Sequence, residues 1–363
     1  MKHHIIDNSI SRKVLMVGNY YKHNHPGGIS AVVQYWSEYI ENLQYYPTWK
    51  LSNFFVKIWM FFYSYLRLLF RLLFDKNIEI LHLHFAADGS FWRKSQLLKL
   101  AKLFDKKVIM HCHSSRFKDF YSEHSSENKK DIIFILNRAD VLIVLSESWK
   151  EWFISAGVDS SRIVILHNIT SEPQVSSLYK VKDDKVHLLF LGELGKRKGV
   201  FDILKGISKH REFFEEKLEL RIGGNSNEEI LLNEIENNSL QKIVKFEGWV
   251  SGEKKIELLN WANLFILPSF NEGLPISILE AMSYKMPIIS SPVGGIPEVV
   301  KNGVNGIIVS PGNDEEICSA IKHYIDNKNL LISHGEESYK LVQSYLPNYV
   351  MNHLNRIYQE LLM

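Results

Sequence analysis

The stretch Val141-Leu142-Ile143-Val144-Leu145 contains no polar side chain, and similar short apolar stretches recur along the chain. A strand with one solvated face alternates apolar and polar residues, whereas a continuous apolar stretch is typical of a strand buried on both faces. Strands of that kind belong to parallel sheets covered by helices. The stretch therefore predicts an α/β protein built on parallel sheet.

Working outward from this stretch, short β-branched segments alternate with longer amphipathic ones. We expect strands near 13–18, 79–85, 107–112, 140–145 and 162–166, and again near 186–191, 218–222, 243–247, 263–267, 286–290 and 305–309. The polar segment 168–185 separates the two sets and predicts a linker. The pattern predicts two Rossmann-like domains facing across a cleft, with ligands beyond the carboxyl ends of the strands.

Composition is ordinary for a globular protein of about two domains. The chain has 363 residues, with 43 Lys and Arg against 41 Asp and Glu, and this net charge of +2 does not favour nucleic acid as a partner. Residues 1–180 carry 23 basic and 16 acidic side chains, which predicts attraction of the first half to anionic surfaces. Cys112 and Cys318 have no metal or redox spacing, and the start lacks a secretion signal, so we expect a cytoplasmic protein.

Residues 54–74 are mostly apolar and could be mistaken for a membrane span. Lys57, Arg67 and Arg71 interrupt them and cluster within about 80° on a helical wheel. One interpretation is a helix in the membrane interface, with the arginines toward anionic headgroups and with inserted residues that include Trp59, Phe61, Phe62 and Leu66. The other is a helix packed against the sheet, with the arginine stems as cover.

Two glutamates flank a helix start in Phe270-Asn-Glu-Gly-Leu-Pro-Ile-Ser-Ile-Leu-Glu-Ala-Met282. Pro275 suits the first turn of a helix, which places Glu272 in the preceding loop and Glu280 inside the helix. Five residues of helix span roughly 7 to 8 Å, comparable to part of a nucleoside diphosphate. Helix N–H groups could hold phosphate while the carboxylates accept bonds from hydroxyl groups. A solvated helix face is the alternative.

Three further features follow expected strands. Gly27 and Gly28, after Pro26, would allow close approach of the backbone to a phosphate, although taken alone such a turn is more often a plain loop. The segment His111-Cys112-His113 offers a histidine for proton exchange, while His111 alone is more typical of a structural residue and no third zinc ligand is evident. The glycine-rich segment 192–199 contains Lys196, Arg197 and Lys198, which suit a diphosphate or else a solvated basic turn.

Together these motifs resemble the family-4 retaining glycosyltransferases of the GT-B fold, which include enzymes of bacterial capsule, exopolysaccharide and O-antigen synthesis. The likeness is strongest from Val186 to Pro311, where the glycine-lysine turn, the two glutamates and the turn Gly294-Gly295-Ile-Pro-Glu298 occur in order. The segments 82–85 and 90–94 also look like those of polysaccharide-assembly members. The resemblance implies an acceptor-binding domain 1–170, a nucleotide-sugar domain 171–345 and a helix 346–363 that packs toward the first domain.

The resemblance also implies roles for individual residues. Gly28 would lie against the donor diphosphate, His113 would contact the transferred sugar, and Lys198 would bind phosphate. Glu272 would hold sugar hydroxyls, and Glu280 would bind the ribose. The backbone of Gly273 and Leu274, before Pro275, would join the phosphate site. Many relatives have an arginine where this chain has Glu193, so we expect Arg197 to supply that charge.

The expected activity is metal-independent, retaining transfer from a UDP- or GDP-sugar, used as substrate and with no cofactor, to an acceptor that is a lipid-linked oligosaccharide. The partners would be that acceptor and an anionic membrane surface at the inner face of the plasma membrane. The alternatives are a non-catalytic sugar-nucleotide-binding subunit and a GT-B epimerase or phosphorylase. An NAD-dependent oxidoreductase is disfavoured because no Gly-x-Gly-x-x-Gly follows the first strand of either half.

Overall fold

The computed structural model of the protein describes residues 4–22, 27–50, 53–173 and 184–363. Pro26 of the expected glycine turn and residues 174–183 of the expected linker lie outside these ranges. The chain divides into two compact units. The N-terminal unit extends to Ile169 and also includes Pro347–Met363, and the C-terminal unit is Thr170–Leu346.

The N-terminal unit is built on a six-stranded sheet in the order β2-β1-β3-β4-β5-β6, and each neighbouring pair is parallel. The strands are β1 Val14–Asn19, β2 Tyr45–Trp49, β3 Ile80–Phe85, β4 Lys107–Cys112, β5 Val141–Val144 and β6 Ile163–Ile165. The helices are α1 Asn8–Ser11, α2 Gly28–Tyr39, α3 Phe54–Phe74, α4 Gly89–Leu103, α5 Phe117–Ser122, α6 Ser126–Asn137 and α7 Glu147–Ser155. The last helix of the chain, which also belongs to this unit, is labelled α16 below.

The C-terminal unit has a second six-stranded parallel sheet, in the order β12-β11-β10-β7-β8-β9. Its strands are β7 Val186–Leu191, β8 Leu218–Gly223, β9 Val244–Phe246, β10 Leu264–Leu267, β11 Ile288–Ser290 and β12 Gly306–Ile308. Its helices are α8 Val200–Lys209, α9 Arg211–Phe214, α10 Glu228–Asn237, α11 Gly252–Trp261, α12 Ile276–Ser283, α13 Ile296–Val299, α14 Asp314–Asp326 and α15 Asn329–Val342. The prediction of parallel sheets in two Rossmann-like units is confirmed.

Strand β2 is the one strand of the described residues that the sequence analysis missed. It lies at the edge of its sheet and contains Pro47, which has no N–H to donate. An edge strand tolerates that loss because only one of its sides is paired. Helix α3 packs on β2, the strand that Pro47 made hard to recognise in the sequence.

The basic side of α3 faces the protein. The Arg67 guanidinium lies 4.0 Å from the centre of the Tyr46 ring, and Lys57 lies over Trp49. Arg71 pairs with Asp75 and donates to Gln44. Of the two interpretations, these contacts favour the helix packed against the sheet, with Arg67 covering Tyr46 of β2 and Arg71 bound to Gln44 and Asp75.

The opposite side of α3 exposes a row of large apolar side chains, which we call the α3 apolar face. Its exposed members are Phe55, Val56, Ile58, Trp59, Phe62, Tyr63, Leu66, Phe70, Leu73 and Phe74, whereas Phe61 is partly buried. None of the helices that the structure describes has both the length and the apolarity needed to span a membrane. The α3 apolar face is thus a surface feature of the N-terminal unit.

Helix α16, Pro347–Leu362, packs on α1, α2 and β3. Val350, Leu354 and Ile357 recur at helical spacing on its buried side, as expected of an amphipathic helix. The Tyr358 hydroxyl reaches Nδ1 of His82 at 2.7 Å. The final helix is thus part of the N-terminal core.

Candidate active site

Three loops meet at the carboxyl edge of the C-terminal sheet, after β7, β10 and β11. The Phe270 N–H donates to the Arg197 carbonyl at 2.8 Å, and the Gly295 N–H donates to the Gly273 carbonyl at 2.6 Å. Gly294 has a φ of +57°, and a Cβ there would lie 2.0 Å from the Glu272 carbonyl oxygen. Only glycine fits this contact, so the loop after β11 fixes the backbone that carries Glu272.

Lys198 and Glu272 form an ion pair at this edge. The Lys198 Nζ lies 2.5 Å from Glu272 Oε1, and the Ser269 hydroxyl donates to the same oxygen at 2.8 Å. Glu272 is only 5% exposed, so the carboxylate is desolvated and held in place by two donors. The sequence analysis placed both residues in one site, and the structure brings them together.

Arg197 extends this cluster. Its guanidinium donates to Glu193 Oε2 at 2.8 Å and to the Asn271 carbonyl at 3.2 Å. It also lies 4.0 Å from Oε2, the second carboxylate oxygen of Glu272. Glu193, where the resemblance led us to expect an arginine, therefore orients Arg197 within the loop between β7 and α8. This pairing was not predicted, because the residues between the two side chains do not form a regular helix whose spacing would indicate it.

Glu280 lies in α12 and is also 5% exposed. Its Oε1 accepts a hydrogen bond from Lys255 Nζ of α11 at 2.5 Å. Pro275 is the residue just before α12, one position outside the expected first turn, and Gly273 and Leu274 lie buried in the preceding loop. Lys255 was missed because no local spacing links it to a partner 25 residues away.

In the N-terminal unit, Gly27 and Gly28 stand at the carboxyl end of β1. Gly27 has a φ of +120° and precedes the first residue of α2, which is Gly28. A Cβ built on Gly28 would meet no atom of the described part of the chain within 4 Å. The described residues therefore leave space at Gly28 for the phosphate that the hypothesis places there.

His113 follows β4 directly and belongs to a cluster of neutral histidines. Its Nε2 lies 2.9 Å from Nδ1 of His84, while His111, His82 and His84 are buried. Burial lowers the pKa of His82 and of His113 to about 3, and it holds the pKa values of His84 and His111 well below the usual range. The sequence analysis singled out His113 but did not predict its contact with His84.

Solved structures that match both units of this chain include glycosyltransferases. HepE of Anabaena, crystallised with UDP and glucose, matches with a TM-score of 0.72 and 15% identity over 96% of this chain and 99% of HepE. The sucrose-phosphate synthase of Thermosynechococcus elongatus matches with a TM-score of 0.73 and 17% identity over 98% of this chain and 92% of that one. The likeness at this identity concerns the fold, which is that of the GT-B glycosyltransferases.

The sequence comparisons identify the family. The profile described as Glycosyl transferases group 1 matches residues 174–341, and the profile Glycosyltransferase Family 4 matches residues 27–170. The chain belongs to the family-4 glycosyltransferases. An uncharacterized glycosyltransferase of Methanocaldococcus jannaschii is 28% identical over 82% of this chain and 77% of its own length. The amylovoran biosynthesis glycosyltransferase AmsK of Erwinia amylovora is 27% identical over 67% of this chain and 60% of its own length.

Proposed function

We propose that the protein transfers a sugar from UDP- or GDP-sugar to a hydroxyl group of a glycan acceptor, with retention of anomeric configuration and without a metal ion. The observation that carries this proposal is the cluster of Lys198, Arg197 and Glu272 at the carboxyl edge of the C-terminal sheet. It combines two cations for a diphosphate with a desolvated carboxylate for sugar hydroxyls. Solved relatives that bind UDP and UDP-glucose, such as HepE, support a nucleotide-sugar donor.

The proposed reaction breaks the bond between the anomeric carbon and the diphosphate oxygen. The sugar becomes cationic and the diphosphate gains negative charge, so Lys198 and Arg197 stabilise the transition state more than the bound donor. The start of α12, with the backbone of Gly273 and Leu274, adds its dipole to the same phosphates. The acceptor oxygen forms the new bond on the same face, and its proton passes to the departing phosphate oxygen.

The carboxylates of Glu272 and Glu280 then bind different parts of the donor. Glu272, held by Ser269 and Lys198, accepts hydrogen bonds from the sugar, and Glu280 accepts them from the ribose. Glu280 pairs with Lys255 in the structure, so ribose hydroxyls would share this carboxylate with the lysine. In the N-terminal unit, Gly28 contacts diphosphate and His113 contacts the transferred sugar.

Thermal stabilisation by UDP, GDP and their common sugars identifies the donor, since a ligand at one hundred times its Kd adds about 2.7 kcal/mol. Incubation of the stabilising donor with a lipid-linked oligosaccharide extract, followed by mass spectrometry and by measurement of anomeric coupling constants, tests the reaction. We expect a product one sugar larger, with the donor's anomeric configuration, in the presence of a chelator. An isomerised nucleotide sugar as the only product would identify an epimerase, and stabilisation without any product would identify a binding subunit.

We further propose that the acceptor is lipid-linked and that the α3 apolar face docks on the membrane. The helix carries no acidic residue, and its exposed apolar surface suits insertion into the bilayer interface. Because Lys57 and Arg67 stack on rings of β2 and Arg71 donates to Gln44, insertion of apolar side chains supplies most of the affinity.

Flotation with anionic vesicles tests this docking. Trp59 and Phe62 are 73% and 57% exposed, and replacing both by serine removes roughly 2 to 4 kcal/mol of apolar transfer free energy. The wild-type protein should float with the vesicles even at high salt, whereas the double variant should stay in solution. The matched control is Phe134→Ser, which removes a 64% exposed apolar ring from α6. Equal flotation of the double variant and the control would contradict the proposal.

A further inference from the structure

Four histidines cluster on one face of the N-terminal sheet, and the reaction proposed above uses only one of them. His82 and His84 alternate along β3 and so point to the same side, and the strand register places His84 beside His111 of β4. The Trp36 ring of α2 lies 5.4 to 5.6 Å from the rings of His82, His84 and His111. Buried polar rings on a sheet otherwise covered by apolar residues call for a physical explanation.

The cluster contains two separate hydrogen-bonded chains. One runs from the Tyr358 hydroxyl to His82 Nδ1 and from His82 Nε2 to His111 Nδ1, at 2.7 and 3.2 Å. The other joins His84 Nδ1 to His113 Nε2 at 2.9 Å. The Nε2 atoms of His84 and His111 are buried, and neither has a hydrogen-bond partner among the residues that the structure describes.

A metal ion is a poor explanation of these rings. Ring nitrogens of His82, His84 and His111 all lie within 4.8 Å of one another, so the orientation of the rings decides whether they can share an ion. An imidazole binds a metal in its own plane, and the rings of His82 and His84 are stacked at 4.5 Å with an interplanar angle of 8°. Their lone pairs therefore lie in two separate, nearly parallel planes and do not converge on one ion.

The unpaired Nε2 atom of His84 indicates which ring nitrogens of His84 and His113 carry the protons. Each neutral ring carries a single N–H, so in the pair of His84 and His113 one ring donates and the other accepts. If His113 donated, the N–H of His84 would remain at Nε2, buried without an acceptor, and orphaned buried N–H groups are rare. If His84 donates from Nδ1, its Nε2 holds only a lone pair, which is the less costly arrangement. His113 then accepts at Nε2 and carries its own proton at Nδ1.

We propose that His84 is a positioning residue that fixes the tautomer of His113, so that His113 presents an Nδ1–H donor to an oxygen of the bound sugar nucleotide. This inference rests on the proposed function, in which His113 contacts the donor sugar. It makes His113 a neutral hydrogen-bond donor and not a base at that nitrogen. The stacked ring of His82 and the Trp36 indole hold His84 in the required orientation.

Nitrogen NMR of protein labelled with ¹⁵N in the histidine rings tests the tautomer without any substrate, with His113 assigned by comparison with His113→Asn. We expect one His113 tautomer at pH 7, protonated at Nδ1. His84→Leu should release this preference, whereas the isosteric His84→Asn should keep it because its amide can donate from nearly the same place. The control Tyr358→Phe removes the hydrogen bond to His82 but keeps every ring of the cluster, so it should leave the tautomer unchanged.

Turnover gives the second readout. We expect His84→Leu to lower kcat roughly tenfold or more while the donor KM changes less than about threefold, and His84→Asn to restore kcat to near the wild-type value. Should His84→Leu fail to fold, His84→Phe replaces it, since an apolar ring keeps the stack on His82. A wild-type His113 protonated at Nε2, a tautomer indifferent to His84→Leu, or one bound metal ion per chain would each overturn the inference. Failure of sugar transfer with an intact Nδ1–H tautomer would instead refute the proposed function.

Discussion

Replacement of Lys94 by methionine should make the N-terminal unit more stable near neutral pH. Lys94 of α4 is fully buried, and its ammonium donates to the Thr48 hydroxyl at 2.6 Å. Burial, with a smaller contribution from Arg93, lowers the pKa of Lys94 from 10.5 to about 7. Methionine keeps the unbranched stem and removes the charge.

The magnitude follows from this change in pKa. A fall from 10.5 to about 7 corresponds to roughly 4 to 5 kcal/mol, at about 1.4 kcal/mol for each pKa unit. Between these two pH values the unfolded chain holds the proton that the folded chain has lost. The free energy of unfolding therefore rises with pH through this window, and the penalty is full below pH 7. After subtracting about 1 kcal/mol for the lost hydrogen bond to Thr48, the variant should gain roughly 3 kcal/mol at pH 7.

Urea unfolding at pH 7, 8, 9 and 10, followed by tryptophan fluorescence, measures this effect. Six of the eight tryptophans lie in the N-terminal unit, so fluorescence mainly reports its unfolding. The difference between the Lys94→Met variant and the wild-type protein should shrink steadily as pH rises toward 10. The control Lys99→Met, on the exposed side of the same helix, should show no such trend. Parallel pH profiles for Lys94→Met and wild type would refute the reasoning.

Three further predictions concern the candidate site. Gly294→Ala places a Cβ 2.0 Å from the Glu272 carbonyl oxygen. Its control, Gly303→Ala, has a similar positive φ, but its Cβ meets no atom of the described residues within 4 Å. Calorimetry should show a free energy of unfolding at least about 2 kcal/mol lower for Gly294→Ala than for Gly303→Ala. Gly28→Ala should change the free energy of unfolding by less than about 1 kcal/mol but weaken donor binding measured by titration calorimetry, and unaltered affinity would remove Gly28 from the phosphate site. Arg197→Ala should lower turnover roughly tenfold or more. An unchanged initial rate would exclude Arg197 from the phosphate site.

Local patterns in the sequence predicted most of the fold. Mainly apolar stretches identified the strands that lie inside the two sheets, since burial on both faces disfavours polar side chains, although β3 and β7 contain histidines and β8 contains charged residues. Strand β2 escaped because Pro47 argues against a strand and only the sheet shows that this one lies at an edge. For α3, the helical wheel identified the basic stripe correctly. It could not tell which side meets the protein, because this depends on Tyr46 and Trp49 of the missed strand.

The candidate site shows the same limit. Lys198, Arg197 and Glu272 were predicted together because ordered motifs at the ends of strands converge in parallel sheets. The pairing of Glu280 with Lys255 and that of His84 with His113 join residues 25 and 29 positions apart. Such contacts arise from tertiary packing, and no local periodicity encodes them. The structure was needed to show which carboxylates are already held by lysines.

Because α16 closes the N-terminal unit, the order of synthesis differs from the order of assembly. The ribosome makes the strands of the first sheet, then the entire Thr170–Leu346 unit, and only afterwards the segment from Pro347 onward. At a synthesis rate of about 5 to 20 residues per second, the first sheet is synthesised about 10 s or more before α16, its last covering helix. During this interval Tyr358 has not yet reached His82, and the surface of α1, α2 and β3 that α16 later covers stays exposed on the nascent unit.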